Sequence, residues 1–295
     1  MIAVALYFVC GVALGRVARG PARVPHVLNL WVINIALPAL ILAKIPGIRF
    51  GADVLVPVAV SWGLVIAGAA AVLLLSRRWG LPAAQTGALL MLVPLGNTSF
   101  LGLPVVQALL GQDNLAPALA FDQIGTFLAL ATYGLWVAGR FGAGERGLLP
   151  VVRRLVRFAP FLALVVALGL RAWEVPTALN DAFSAVGRTV APVAIVSMGM
   201  RFVPRRRIAH GRLVAVGLGL KMVLLPAGVL VVALLVGGLS EPAWQSSLVE
   251  AAMPPMVTAG VVGVSAGFDE ELVTTMVALG TAVCLVTMSV VSLFV

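Results

Sequence analysis

The chain has 295 residues, of which 61% are hydrophobic and 11% charged, with a formal net charge of +9 and a mean hydropathy of +1.11. Soluble domains carry about 25% charged residues, so a water-soluble core with a polar coat is excluded. Long continuous apolar runs also exclude a β-barrel, whose strands alternate over about ten residues. The composition is that of an all-α integral membrane protein whose surroundings are the lipid bilayer. The positive charge comes from arginines clustered in short loops, the mark of orientation in the membrane. No aromatic-basic patch on a soluble domain points to nucleic acid.

A helix needs about 20 residues to cross the hydrocarbon. On that ruler ten transmembrane helices are predicted, near 1–16, 26–45, 54–76, 83–110, 114–139, 154–171, 178–201, 209–237, 243–267 and 271–294. The first run is read as a span and not as a cleaved leader, because Arg16, Arg19 and Arg23 follow it instead of preceding it. Arg77 and Arg78 follow span 3, Arg140 to Arg157 follow span 5, and Arg201 to Arg212 follow span 7. The loops between these are weakly charged. Odd-numbered loops are therefore expected in the cytoplasm and both termini outside, in the plasma membrane, for a bacterium the inner membrane. The loop "FDEEL" after span 9 is acidic, but acidic residues count little in this rule. Cys10 and Cys284 lie in apolar runs without CxxC spacing and read as packing residues. His26 and His210 lie in or beside basic loops and read as solvated.

Ten spans divide into a first five-helix repeat over 1–139, a basic cytoplasmic linker over 140–157 and a second repeat over 158–295. An odd number of spans per half inverts the second relative to the first, a common plan of secondary transporters. Span 4, "ALLMLVPLGNTSFLGLPVV", and span 9, "LVEAAMPPMVTAGVVGVSA", echo each other. At an offset of 160, Pro94 falls on Pro254 and Thr98 on Thr258. Pro38 in span 2 and Pro192 in span 7 form a second echo.

Pro94 and Gly96 break span 4, and Pro254 and Pro255 break span 9. Proline removes a backbone N–H and clashes with the preceding turn. In lipid a broken helix survives where its break is buried in protein or lines a cavity. A half-helix N-terminus there offers free N–H groups and partial positive charge to an anion. The crossing of helices 4 and 9 is thus expected to hold substrate through Asn97, Thr98, Ser99, Pro254, Met256 and Thr258. The competing reading is a kinked helix with small residues for tight packing.

Charges at bilayer depth are expensive and need a partner or a task. Asp122, with Gln123 adjacent and Thr126 one turn on, either carries a coupling ion or pairs with a buried base. Glu250, four residues before Pro254, binds an ion or a proton, or sits wetted near the end of its span. Lys221 and Arg188 either attract the substrate or neutralise Asp122 and Glu250. Asn34, one turn before Pro38, bridges freed backbone or touches substrate. Within the spans there is no GxGD, no Ser–His pair and no metal-ligand cluster, so an enzyme is not expected. No cofactor is expected. Sodium and a proton are the candidate coupling ions, and a homodimer is left open.

"GNTSFLGLPVVQALLG", "APVAIVSMGM", "LKMVLLP" and "EAAMPPMVTAGVV", with "LPALILAKI" and "FDQIGTFLAL", resemble the motifs of the auxin efflux carrier family over essentially the whole chain. The resemblance implies ten helices in two inverted repeats crossing at spans 4 and 9, and transport of small organic anions by alternating access. It also implies that spans 1, 2, 6 and 7 form a part that moves against the crossing. The related bile acid/sodium symporters bind sodium at a Glu-x-x-Met segment, which "EAAM" (Glu250 to Met253) resembles. Thr98, Ser99 and Thr126 are the further sodium-site counterparts so implied. Pro254 and Pro255 stand where an amide-rich segment would be expected, which leaves the coupling ion open.

Overall fold

A computed structural model describes residues 2–17, 23–47, 52–111, 113–142, 159–170, 175–201 and 210–295. Most of the basic 140–157 linker lies outside the described residues. Among the described residues every regular element is helical, and an isolated antiparallel bridge joins Gly96 to Pro255. Among the described residues four helices are long and apolar enough to cross a bilayer: Val54–Trp79, Leu115–Phe141, Gly211–Leu235 and Glu270–Val291. Shorter apolar helices accompany them, among them Ala83–Leu92, Thr98–Leu110 and Ala159–Leu170.

Burial orders these helices. In the most apolar stretch of Leu115–Phe141, 72% of residues are buried, against 28% in Val54–Trp79 and in Gly211–Leu235. The first therefore runs through the interior, and the other two turn much of their surface outward. Their outer faces carry Leu55, Ile66, Leu74, Val223 and Leu235, all exposed, a surface that lipid would cover. The Ala83–Leu92 helix is covered from Thr86 to Leu92.

Small residues let helices approach closely where no hydrophobic effect drives them together. Gly11 and Gly15 sit against the backbone of Val196 and Met200, and a Cβ at Gly15 would stand 2.6 Å from the Met200 carbonyl oxygen. Loop contacts sort the helix ends. Arg212 stacks 4.3 Å over Trp79, and His210 and Gln85 meet Asp269 at 3.2 Å, so these residues share one end. At another end Asn114 bonds the Pro242 carbonyl and Ser246.

Three helices widen into a π turn just before a proline. Val32–Ala36 precedes Pro38, Thr98–Gly102 precedes Pro104, and Leu220–Leu224 precedes Pro226. In each the turn ends two residues before the ring, which lacks an N–H and crowds the carbonyl four residues back. Opening the helix by one residue relieves that clash, and such bulges recur at functional sites. Asn34, Thr98, Ser99 and Lys221 all lie on these turns.

The Glu270–Val291 helix braces the break in the Pro242–Ser265 segment. A Cβ on Gly280 would stand 2.6 Å from Pro255 Cδ, a ring atom with no rotamer to retreat to. Gly280→Ala should therefore destabilise the protein by about 1–3 kcal/mol through overpacking. A detergent-solubilised sample should show a lower Tm, while Gly228→Ala, with open space around its Cβ position, should leave Tm unchanged or raise it.

Candidate anion site at a helix crossover

The Ala83–Leu92 helix ends before Pro94, and a new helix starts at Thr98. The Pro242–Ala251 helix ends before Pro254, and its successor starts at Val257. The two extended breaks cross and pair. Asn97 N–H donates to Pro254 O at 2.8 Å, and Met256 N–H donates to Leu95 O at 3.0 Å. Pro254 and Pro255 have no N–H, so the second break brings no further donor between Met253 and Met256 that would need burying. The amides of Asn97 and Met256, expected to be free for substrate, are thus tied to the partner break.

The pair is two-fold symmetric in its bonding, and it sets a register. Helix limits 83, 92 and 98 recur at 242, 251 and 257, each 159 positions later. The sequence echo at 160 is therefore one residue off: Leu95, not Pro94, is the counterpart of Pro254, and Ser99 that of Thr258. Ser99 and Thr258 in fact line one crevice together, with Ile33, Leu37, Phe100, Phe127, Leu130 and Met256 around them. Helix starts leave their first amides without intrahelical acceptors, and two such starts flank this crevice.

Three ionisable side chains gather beside the crossing. Asp122 is fully buried on a π turn of the Leu115–Phe141 helix. Thr98 Oγ1 and Ser99 Oγ donate to its Oδ1 at 2.5 and 2.6 Å, and Gln123 Nε2 donates to Oδ2 at 2.5 Å. The new helix start of span 4 is therefore bolted to a carboxylate. Lys221, 1% exposed, donates to Ala251 O at 3.2 Å and so covers the negative end of the Pro242–Ala251 helix. Glu250 is fully buried, and neither carboxylate oxygen has a hydrogen-bond partner among the described residues. It packs against Gly102 so closely that a Cβ there would overlap Oε2. Glu250 also lies within electrostatic reach of both Asp122 and Lys221.

Other expected residues lie apart from this group. Thr126 bonds Ser61 Oγ at 3.4 Å instead of Asp122. Met253 is buried in the apolar core, its N–H on Glu250 O. Asn34 is exposed and donates to Leu30 O, one turn back, at 3.0 Å. Arg188 is exposed and caps the end of Thr177–Gly187, so the structure corrects the expectation of a buried charge partner. The reason is Pro192: it cannot donate to the Arg188 carbonyl, and the helix breaks there and restarts at Val190. His210 is half of the contact with Asp269 and not merely solvated. Gly102, Gln123 as a donor, and Ser61 were not singled out from the sequence. The first has a signal, a glycine one turn after "NTS" on a buried helix; Ser61 has none.

Among proteins of known sequence, one relative is an uncharacterized transporter of Methanothermobacter thermautotrophicus, 29% identical over 277 residues, covering 88% of this chain and 86% of its own. Another is an uncharacterized transporter of Methanocaldococcus jannaschii, 27% identical over 188 residues, covering 61% of this chain and 60% of its own. A family model described as "Membrane transport protein" matches residues 3–145 and again 146–292. The apolar helices, the paired breaks and this match over nearly the whole length agree: the chain belongs to the membrane transport protein family.

Proposed function

We propose that the protein is a secondary carrier of a small organic anion, working by alternating access, with ten transmembrane helices in two inverted halves. The observation that carries this reading is the antiparallel crossing, which brings the helix starts at Thr98 and Val257 to the crevice lined by Ser99 and Thr258. Two helix N-termini at one point favour a carboxylate, and broken helices crossing in the membrane interior are where secondary transporters bind. The recurrence of helix limits 159 positions apart and the two family matches support the repeat. The auxin efflux carrier resemblance supports the substrate class. The arginine-rich loops support a plasma-membrane orientation with odd loops in the cytoplasm.

The crevice walls narrow the substrate class. Ile33, Leu37, Phe100, Phe127 and Leu130 are apolar, which supports an anion with one charged end and an apolar body over a dianion. Ser99 links the crevice to Asp122, since its hydroxyl lines the first and donates to the second. An anion that takes this hydroxyl removes one of the three donors on Asp122. Substrate binding and the charge state of the buried acids are thereby coupled.

In proteoliposomes, counterflow of a labelled monocarboxylate with a branched or aromatic body is the expected activity; exchange of dicarboxylates alone would remove the apolar-body reading. Ser99→Ala combined with Thr258→Val should raise KM about a hundredfold or more, since two hydroxyl contacts to a charged group contribute about 1.5–3 kcal/mol each. Unchanged kinetics in a folded double variant would refute the site.

Asp122→Asn keeps the size of the side chain but replaces a carboxylate that accepts from three donors. Counterflow should fall at least tenfold while the elution profile stays monodisperse. Full activity with an unaltered ion dependence would take Asp122 out of the coupling machinery.

A further inference from the structure

The Ala52–Trp79 helix has 28 residues. By the helical rise per residue that is about 42 Å, against a hydrocarbon layer of about 30 Å. It is long enough for its last turn to stand among the lipid headgroups. That turn carries Arg77 and Arg78, both exposed, and ends on the half-buried Trp79. The Gly211–Leu235 helix runs back beside it. Arg212 Cζ lies 4.3 Å over the Trp79 ring, and deeper in, a Cβ on Gly68 would stand 3.3 Å from Leu225 Cδ1. Three arginines thus gather at one rim of two helices that turn much of their surface outward. Among the described residues no salt bridge joins any of the three to a carboxylate. The acidic groups at this end are Asp269, engaged by His210 and Gln85, and the exposed Glu270 and Glu271.

We propose that this rim binds an anionic phospholipid, its phosphate held by Arg77, Arg78 and Arg212 and its acyl chains lying along the helix below them. A guanidinium presents a planar fork of donors that matches phosphate oxygens. Trp79 lies where indole rings anchor a protein at the headgroup level. Below the arginines the same stripe turns apolar: Ile66, Ala70 and Leu74 precede Arg78 at intervals of four residues, and all are exposed, Ile66 at 69% and Leu74 at 66%. Residues so spaced share one helix face. A free anion gains nothing from that stripe, whereas an acyl chain covers it. A zwitterionic lipid brings its own ammonium toward three unpaired cations, so a headgroup of net negative charge is preferred. The inference goes beyond the carrier reading and does not need it: it requires only that the chain lies in a membrane.

The test reads lipid binding without any transported substrate. Thermal unfolding of the full chain in neutral detergent is followed as phosphatidylglycerol, phosphatidylcholine with the same acyl chains, or inorganic phosphate is added. Phosphatidylglycerol should raise Tm saturably by about 4 °C or more, and the other two should not. Arg212→Gln should weaken the apparent affinity about fivefold, and its combination with Arg77→Gln and Arg78→Gln about a hundredfold. Arg188→Gln, which removes an exposed arginine outside the rim, should leave the titration unchanged. An equal rise with phosphatidylcholine, or a rise with inorganic phosphate alone, overturns the proposal. So does a triple variant that titrates like the wild type, or an Arg188→Gln variant weakened as much as Arg212→Gln. Where the triple variant does not fold, an unchanged titration of Arg212→Gln overturns the proposal equally.

Discussion

Two main-chain hydrogen bonds, Asn97 N–H to Pro254 O and Met256 N–H to Leu95 O, make it feasible to break two helices in the middle of an apolar protein. A helix interrupted in such surroundings exposes donors and acceptors that lipid cannot satisfy, and each buried donor left unpaired costs about 1–3 kcal/mol. Here each break supplies what the other lacks. Prolines 254 and 255 delete two donors that would have needed partners, and the remaining donor finds the opposite strand. The crossing is in effect the smallest piece of antiparallel sheet, set inside an all-helical protein. Its register then places Ser99 opposite Thr258 and Asp122 against the Thr98 helix start.

The charges beside the crossing are arranged by the same helix ends. The start at Thr98 is electropositive and receives Asp122 through two hydroxyls. The end at Ala251 is electronegative and receives Lys221. Each buried charge thus meets a helix end of opposite sign. Glu250 is the exception: it has no donor among the described residues, lies within reach of Asp122, and is packed against Gly102. An acidic group held without a donor is the one whose charge is most easily changed by an ion or substrate arriving nearby.

Much of this was legible in the sequence because its causes are local. Apolar runs of span length, Pro94 and Pro254 in mid-run, and isolated charges at Asp122, Glu250 and Lys221 each have a direct physical consequence. What stayed hidden depends on three-dimensional pairing. Prolines mark a break but not which peptide bonds cross the gap, so aligning Pro94 with Pro254 misplaced the register by one residue. The freed amides were expected to face substrate, and two of them face each other. Arg188 looked buried because its span was drawn as continuous, whereas Pro192 ends the helix at the arginine and leaves it exposed. Gly102 shows its purpose only once Glu250, 148 positions away in the chain, is placed against it.

For a carrier working by the alternating access proposed above, the paired breaks also constrain how the crevice can open. Pulling the two strands apart would strand the Asn97 and Met256 amides together, a penalty of roughly 2–6 kcal/mol. A carrier of this design keeps the crossing intact and moves the walls instead. Ile33 and Leu37, from the Arg23–Lys44 rod, line the crevice together with Ser99 and Thr258. That rod packs against the Ala159–Leu170 and Thr177–Gly187 helices, and the Ile2–Val17 helix packs on Val190–Arg201 through Gly11 and Gly15. These elements contact one another through apolar and small-residue surfaces and through the hydrogen bonds from Trp31 to Thr189 and from Ser197 to the Pro25 carbonyl. The proposed division into a moving part and a crossing part keeps both paired amides of the crossing within one body, where breaking them in an apolar interior is never required.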